Sequence, residues 1–277
     1  MDKMLVDLHI HTKASDGTWD RHELIERLMQ NNIGLFSITD HDTIENSKVM
    51  ASELEGSDLK YLMGVEVSCT HMRKEHHIVA YGFDTTNSGL LGLLEQNQKE
   101  RSRTQDNLMR WLATVKPQVS YSKYASYQHE RKRGGWKSLN FLLDEAVVKD
   151  LSEYITLFDD PTTKFTFQDP AAVIQAVKQA QGIPFLAHPS WHFDGGRMPE
   201  KELKKWVDFG ISGIECYHPS CCSTYSEEYI DFCRRHNLLI SGGSDCHGTF
   251  TETKLGSPRI TLDNLNLGSL IQERADS

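Results

Sequence analysis

Features that mark several other classes of protein are missing from this 277-residue sequence. No apolar run is long enough to cross a bilayer, so we expect no membrane span. The start of the chain shows no signal-peptide pattern, which favours a cytoplasmic location. None of the six cysteines forms a CxxC pair, and we interpret them as packed thiols in a reducing compartment. There is no internal repeat or low-complexity segment.

An excess of positive charge is missing as well. The sequence has 30 Lys and Arg residues against 39 Asp and Glu residues, a formal net charge of −9 with histidine neutral. This balance argues against tight binding of long nucleic acid. It is compatible with a small anionic substrate, provided that metal ions supply positive charge at the site. The length and the 38% share of hydrophobic residues suit one large soluble domain or two small ones.

Strand and helix patterns alternate along most of the chain, which predicts an α/β fold with a mostly parallel sheet or barrel. The predicted strands are Met4–His9, Ile33–Thr39, Leu59–Ser68, His77–Phe83, Ile183–Ala187, Gly213–Tyr217 and Leu238–Ser241. The predicted helices between them are Asp20–Asn32, Ile44–Leu54, Asp169–Gln181, Glu200–Phe209 and Ser226–His236. Asp20 and Asp169 are placed as N-caps, the latter followed by proline at the first helical position.

The alternation is interrupted in the middle of the chain. Residues 91–165 are rich in Gln, Lys, Arg, Ser and Tyr, and helical spacing recurs over Glu95–Leu112 and Ser138–Val148. We interpret residues 91–165 as a helical insertion that forms a substrate cap. Residues 1–90 and 166–277 are then the two parts of the barrel domain.

Imidazole and carboxylate side chains follow the predicted strands repeatedly. His9 and His11 alternate at the end of the first strand, so both side chains point to the same face. In a parallel barrel the C-terminal strand ends converge on one rim, where so many charges without compensation would be costly. A divalent-metal site accounts for the recurrence of these groups, which are His9, His11, Asp16, Asp40-His41-Asp42, Glu66, His76-His77, His188 and Asp245-Cys246-His247.

The order of these motifs resembles the PHP family, named for polymerase and histidinol phosphatase. The segments that carry the resemblance are His9-Ile10-His11, Thr39-Asp40-His41-Asp42, Gly64-Val65-Glu66, His77-Ile78-Val79, Ala187-His188-Pro189 and Gly243-Ser244-Asp245-Cys246-His247. The resemblance covers nearly the whole chain outside the insertion. It implies a distorted (β/α)7 barrel with a metal cluster at the strand C-termini, and a phosphoesterase activity.

The resemblance also implies how the metals are shared. His9, His11, Glu66 and Asp245 would hold a first ion. Glu66 would bridge to a second ion held with His77 and His188. Asp16, His41 and His247 would hold a third. Two to three divalent ions are therefore expected, with manganese favoured and zinc or iron also compatible with mixed nitrogen and oxygen ligands.

The expected mechanism is attack on phosphorus by a hydroxide held between the first two metals. Glu66 and His188 would bind the metals there and would also take part in catalysis. His192 and His218 lie near the predicted rim and are candidates for contact with the substrate or the leaving group. Asp7, Asp40 and Asp42 could orient neighbouring imidazoles or, for the latter two, cap the following helix.

The insertion carries the predicted substrate contacts. Arg101 and Arg103 lie on a predicted helix, and a basic segment contains Arg133, Trp136 and Lys137. In an otherwise acidic chain a basic loop over a barrel mouth suits a phosphate, and the tryptophan could stack on a base. The alternative is a solvated surface far from the site.

Several functions remain open at this stage. The first is a phosphatase acting on nucleotides or related small metabolites. The second is a cyclic phosphodiesterase or a 5'-3' exonuclease of short oligonucleotides with the same centre. Histidinol phosphate phosphatase and a non-catalytic metal-binding module fit less well, the latter because every ligand position is filled. No membrane partner and no long nucleic acid are expected.

Overall fold

The computed structural model describes residues 4–54, 56–160, 163–193 and 196–271. It has a mixed α/β fold with two sheets. The strands are β1 Leu5–Ile10, β2 Ile33–Ile38, β3 Lys60–Tyr61, β4 Gly64–His71, β5 Lys74–Tyr81, β6 Ile183–Leu186, β7 Gly213–Tyr217, β8 Leu239–Gly242 and β9 Ile260–Thr261. The helices are α1 Arg21–Gln30, α2 Glu45–Glu53, α3 Ser88–Val115, α4 Tyr121–Ser126, α5 Lys137–Asp144, α6 Leu151–Thr156, α7 Pro170–Gln179, α8 Glu200–Phe209 and α9 Ser223–His236.

The predicted α/β class is confirmed, but the (β/α)7 barrel is not. One sheet has the order β3-β2-β1-β9 and the other the order β4-β5-β6-β7-β8. Within the described residues these ladders do not close into a single barrel. Isolated bridges between Ile10 and Cys246 and between His41 and Glu66 bring the edges of the sheets together. The strands are not all parallel either, since β5 runs antiparallel to both β4 and β6.

The predicted strand over Leu59–Ser68 is wrong in one respect, because the structure divides it into β3 and β4. β3 pairs with β2 in the first sheet, whereas β4 pairs with β5 in the second. The chain therefore changes sheets at Leu62 and Met63. Gly64 permits a close approach there, since a Cβ atom on it would lie 2.1 Å from Ser37 Oγ. Periodicity alone cannot reveal a change of partner within one apolar run.

Local capping explains several helix boundaries. Asp20 caps α1 in a reciprocal capping box with Glu23, and Asp169 caps α7, which begins at Pro170. Gly210 ends α8 in the left-handed conformation with a φ of 96°. These sequence signals predicted the element ends to within a few residues because each satisfies backbone groups that a helix terminus leaves open.

The predicted insertion, residues 91–165, includes most of α3 and all of α4 to α6, and its hydrophobic residues form a cluster of their own. Leu108, Leu139, Phe141 and Tyr154 belong to this cluster and are almost fully buried. The first turns of α3 instead pack on the core of the β4–β8 sheet through residues such as Leu90. The long helix thus fixes the insertion relative to the strands that carry the candidate site.

Two further observations concern the whole described chain. Within the described ranges, no helix combines the length and the apolar character that a membrane crossing requires. All six cysteines are free thiols. Cys69, Cys216, Cys233 and Cys246 are buried, as the interpretation of packed thiols requires.

Candidate metal centre

The structure brings all nine predicted ligand side chains to one place. His9 lies on β1, Glu66 on β4 and His77 on β5, whereas the others lie in loops that follow β1, β2, β6 and β8. These loop residues are His11, Asp16, His41, His188, Asp245 and His247. The strand ends therefore supply a rigid frame, and the loops complete the cluster.

A first group of ligand atoms lies around His9 and His11. Their Nε2 atoms are 3.2 Å apart, and each lies 3.2 Å from Glu66 Oε2. Asp245 Oδ1 is 3.1 Å from His11 Nε2 and 3.4 Å from His9 Nε2. Two nitrogens and two carboxylates thus converge in a volume suited to a single cation.

A second group surrounds the other oxygen of Glu66. Oε1 of this residue lies 2.9 Å from His188 Nε2 and 3.2 Å from His77 Nδ1. The same two imidazole nitrogens are 3.3 Å apart. Because each carboxylate oxygen faces a different group, Glu66 is placed as a bridge between them.

A third group gathers around Asp16. Its Oδ1 lies 3.4 Å from His247 Nε2 and 3.5 Å from His11 Nδ1, while its Oδ2 lies 3.7 Å from His41 Nε2. His41 also places Nδ1 at 3.1 Å from Glu66 Oε2. The third group therefore adjoins the other two through shared side chains.

The protonation pattern of the imidazoles fits a cation. His9 Nδ1 lies 2.9 Å from Glu215 Oε1, His77 Nε2 lies 3.0 Å from Glu75 Oε1, and His247 Nδ1 lies 2.8 Å from the carbonyl oxygen of Asp245. Carboxylate and carbonyl oxygens can only accept, so each outer nitrogen carries the proton. When the ring is neutral, the inner nitrogen then presents a lone pair to the cluster, as a metal ligand must.

The electrostatics favour positive charge in the same place. Burial disfavours protonation of His11 and His77, yet the adjacent carboxylates, Asp245 and Glu66 at the former and Glu66 at the latter, raise each pKa to about 10. Burial would also raise the pKa of Glu66, but the surrounding imidazoles hold it well below its usual range. Protons and metal ions compete for such a cluster. The Oε2 atom of Glu66 and the Oδ1 atom of Asp16 are buried without a hydrogen-bond donor.

Two carboxylates that orient the ligands were not among the predicted site residues. Glu215 on β7 reaches His9 and also accepts a hydrogen bond from the backbone N–H of His188 at 2.7 Å. Glu75 on β5 holds His77. A sequence signal exists for both, since each is an acidic residue within or beside a buried strand. Neither occupies a motif position that points to a ligand, so only the fold reveals their role.

Glu75 is itself held by an arginine of the insertion. Arg101 Nη2 on α3 lies 2.6 Å from Glu75 Oε1 and 2.7 Å from Ser68 Oγ. Burial would raise the pKa of Glu75, but the charge of Arg101 and the hydrogen bond from His77 keep it below its usual range. The guanidinium also lies 5.1 Å from the ring centroid of Phe167. A chain of contacts thus runs from the insertion to a candidate metal ligand.

Asp7, Asp40 and Asp42, whose roles the sequence leaves open, are buried and accept hydrogen bonds from backbone groups. Asp7 accepts from the backbone N–H of Ser244 at 2.9 Å, and burial raises its pKa to about 6. Asp40 accepts from Thr12 at 2.7 Å and fixes the loop after His11. Asp42 accepts from the backbone N–H of Ser68 at 2.9 Å. Neither Asp40 nor Asp42 caps α2, whose N-cap position is Ile44.

Two of the candidate ligands have a positive φ. His188 has a φ of 24° and Asp245 a φ of 52°, values that residues other than glycine rarely adopt. Such conformations cost about 1–3 kcal/mol each and persist where the surroundings impose them. Gly243 allows the loop after β8 to approach β1, because a Cβ atom there would lie 2.4 Å from the backbone nitrogen of His9.

A cavity of about 1090 Å³ opens onto the cluster. The insertion supplies one wall, through α6 and residues such as Trp136 and Phe165. Of the predicted contact residues, Arg101, Trp136, His192 and His218 line this cavity. Basic residues that the sequence analysis did not select, namely Arg73, Lys74 and Lys164, line it too.

Three predicted contact residues lie elsewhere in the described part of the chain. Arg103 pairs with Glu100 at 2.7 Å on the exposed side of α3. Arg133 pairs with Asp144 at 2.8 Å, and Lys137 donates to the carbonyl oxygen of Ala125 at 3.1 Å. None of the three lines the large cavity. The basic segment reaches the site through Trp136, which lines the cavity, and through its backbone, since the Gly135 N–H donates to the carbonyl oxygen of Asp16 at 2.7 Å.

The two candidate rim histidines differ in their surroundings. The Ser220 N–H donates to His218 Nδ1 at 3.0 Å, so the proton of a neutral imidazole is on Nε2, which lies 3.4 Å from Asp245 Oδ2. His192 packs against His76 with ring centroids 3.9 Å apart, and its Nε2 is buried without a partner. His218 is therefore the better placed of the two to donate a hydrogen bond into the cluster.

Comparison with known proteins agrees with this geometry. A 3',5'-nucleoside bisphosphate phosphatase from Chromobacterium violaceum is 25% identical, with 87% of each chain covered. The 5'-3' exoribonuclease Rnm of Salmonella typhimurium is 33% identical, with 91% of this chain and 88% of the relative covered. A solved Bifidobacterium adolescentis structure, described as a metal-dependent phosphoesterase, shares the fold with a TM-score of 0.77 at 24% identity, covering 94% of this chain and 93% of that one. The PHP domain model matches residues 7–143, and the chain belongs to the PHP family.

Proposed function

We propose that this protein is a metal-dependent hydrolase of phosphate esters, acting on nucleotides or related small phosphorylated metabolites. The observation that carries the proposal is the convergence of nine imidazole and carboxylate side chains in three adjoining groups, several of which line a large cavity. Its family and its relatives, which include a nucleoside bisphosphate phosphatase, support the same class of reaction.

The ligand groups suit two to three divalent ions. The first would be held by His9, His11, Glu66 and Asp245, the second by Glu66, His77 and His188, and the third by Asp16, His41 and His247. Mixed nitrogen and oxygen ligation admits manganese, zinc or iron, and manganese is the first choice to test. Bound ions would supply the positive charge that a phosphate ester requires and would acidify the attacking water.

The residues of the chain would contribute orientation and a proton. Glu215 and Glu75 hold the rings of His9 and His77 in the tautomer that exposes a lone pair to the cluster. His218 directs its Nε2–H toward Asp245, where it can donate to a phosphate oxygen or to the leaving group. No nucleophilic side chain is needed.

The fold supports a finer description than two separate sheets. We infer that β1, β2 and β4 to β8 form a distorted seven-stranded ring. The isolated bridges from Ile10 to Cys246 and from His41 to Glu66 would join its two parts. The insertion, with predicted boundaries at residues 91–165, would then cap the end of the ring that carries the ligands.

A second candidate function is removal of nucleotides from the 5' end of short oligonucleotides. The identity of 33% to an exoribonuclease favours it, and the cavity exceeds the space that one phosphate needs. A phosphate-release assay across nucleotides, sugar phosphates and nucleoside bisphosphates with each metal tests the first function. A 5'-phosphorylated trinucleotide in the same assay tests the second. Failure to hydrolyse any phosphate ester with any metal would contradict both.

A further inference from the structure

Three basic residues line the cavity in addition to the candidate ligands. Arg73 and Lys74 belong to the tip of the hairpin between β4 and β5, and Lys164 follows α6 of the insertion. Both elements meet at the same cavity, one from the sheet and one from the cap. None of the three residues lies in a motif that the sequence analysis selected.

These three cations are not neutralised within the part of the chain that the structure describes. The other basic residues nearby have acidic partners: Arg101 pairs with Glu75, and Arg133 pairs with Asp144. In contrast, Arg73, Lys74 and Lys164 form no ion pair with any described acidic residue. In a protein with a net charge of −9, three cations that line one cavity without an acidic partner add positive charge where an anionic substrate would enter.

The hairpin that carries Arg73 and Lys74 ends in a tight turn. His71 pairs with Lys74 across the hairpin, so Met72 and Arg73 form a two-residue turn. Both residues have a positive φ, 50° and 64°, in a turn type that favours Asn-Gly. The tight turn therefore fixes the backbone positions of Arg73 and Lys74 at the end of the hairpin.

The size of the cavity sets what the cluster can bind. Its volume of about 1090 Å³ is at the upper end of the range for small-molecule sites, roughly 300–1000 Å³. A single phosphate at the metal ligands would leave most of it empty. Trp136 and Phe165 provide aromatic surface on the cap wall. A nucleoside with two anionic groups would fill more of this volume than a single phosphate.

We propose that Arg73, Lys74 and Lys164 form a second anion subsite, which binds a phosphate of the substrate other than the one that is hydrolysed. The proposal rests on the proposed phosphoesterase function and narrows its substrate class. A terminal phosphate and a backbone phosphodiester offer the same chemistry to these cations. Lysine and arginine bind either through charge-assisted hydrogen bonds.

The test compares substrates with and without a second anionic group. The variants are the Arg73→Ala/Lys74→Ala double substitution and Lys164→Ala, each prepared as the metal-loaded full chain. For a nucleoside 3',5'-bisphosphate, KM should rise about 10- to 100-fold in the double variant with kcat nearly unchanged, as expected for lost charged hydrogen bonds. For p-nitrophenyl phosphate, which has no second anion, both constants should stay within about twofold.

A charge-matched control is available on the insertion. The Arg133→Ala/Lys137→Ala double variant removes the same charge from residues that do not line the cavity. It should leave discrimination between the two substrates unchanged.

A 5'-phosphorylated dinucleotide in the same series distinguishes the sources of the anion. Loss confined to the dinucleotide would assign the subsite to a phosphodiester, and loss on the bisphosphate would assign it to a terminal phosphate.

Binding measurements separate this proposal from the proposed function. Calorimetry with a nonhydrolysable phosphonate analogue of the bisphosphate needs no turnover. Weaker binding to the Arg73→Ala/Lys74→Ala variant than to wild type would support the subsite even if no ester were hydrolysed. Equal effects on bisphosphate and p-nitrophenyl phosphate, or no effect on either, would overturn it. So would a selective loss in the Arg133→Ala/Lys137→Ala control.

Discussion

Glu75→Gln is the substitution that most sharply separates orientation of a ligand from ligation itself. Among the candidate metal ligands in the described part of the chain, Glu75 contacts only His77. The Nε2 atom of His77 lies 3.0 Å from Oε1 of Glu75. Glutamine keeps an oxygen that can accept this hydrogen bond but loses the negative charge that makes the imidazole a stronger donor of electrons. Loss of an outer partner of this kind lowers metal affinity about 10- to 100-fold, which is about 1.4–2.8 kcal/mol.

The structure favours the lower end of that range. The side chain of Glu75 is 21% exposed, so solvent can partly replace its charge. The substitution also leaves Arg101 with Asp42 as its remaining acidic partner, 3.6 Å away. We therefore expect roughly a tenfold weaker binding of one metal equivalent, together with a lower free energy of unfolding because a partly buried charge has lost its partner.

Metal titration by calorimetry, with unfolding in denaturant measured in parallel, provides the assay. A double-mutant cycle with Arg101→Met should show a coupling of about 0.5–3 kcal/mol, because the two residues act as one unit. Arg101→Lys, which keeps the positive charge, should bind metal more tightly than Arg101→Met does. Arg110→Ala is the matched control, since it removes an exposed ion pair from the same helix. A folded Glu75→Gln protein that binds every metal equivalent with wild-type affinity would refute the reasoning.

Two further predictions concern the ligands themselves. Glu66→Gln and His188→Ala should abolish hydrolysis, because Glu66 faces two ligand groups and the loss of its charge alters both; circular dichroism should show a retained fold, and near-normal turnover in either variant would contradict the assignment. Asp16→Ala and His247→Ala should lower kcat more than they raise KM, if the third group stabilises charge on the leaving oxygen as the bond breaks. Steady-state kinetics that show a raised KM at unchanged kcat would instead indicate that this group binds the ground-state phosphate.

The sequence predicted the elements and the ligand cluster better than it predicted their wider surroundings. His9, Glu66 and His188 could be selected because each is a polar residue at the end of an apolar run. This pattern is local in the sequence and does not depend on how the chain packs. The helix boundaries followed from caps such as Asp20 and Gly210. These signals are short-range, so a single sequence contains them.

Features that depend on long-range packing could not be read in the same way. The change of sheet at Gly64 requires knowledge of which strand β3 pairs with. The partner of His9 is Glu215, 206 residues further along the chain. Charge composition favoured Arg133 as a phosphate contact, yet its actual partner is Asp144. Arg73 could not be identified as a cavity residue from the sequence, because only the fold brings the hairpin tip to the cavity.

The central claim is that the converging imidazoles and carboxylates hold catalytic metal ions. Elemental analysis of the purified protein, followed by exhaustive chelation and an assay of phosphate release, tests it most directly. We expect two to three metal equivalents per chain, complete loss of hydrolysis on chelation, and recovery when manganese is added back. Protein that hydrolyses phosphate esters at its full rate after complete metal removal would contradict the claim.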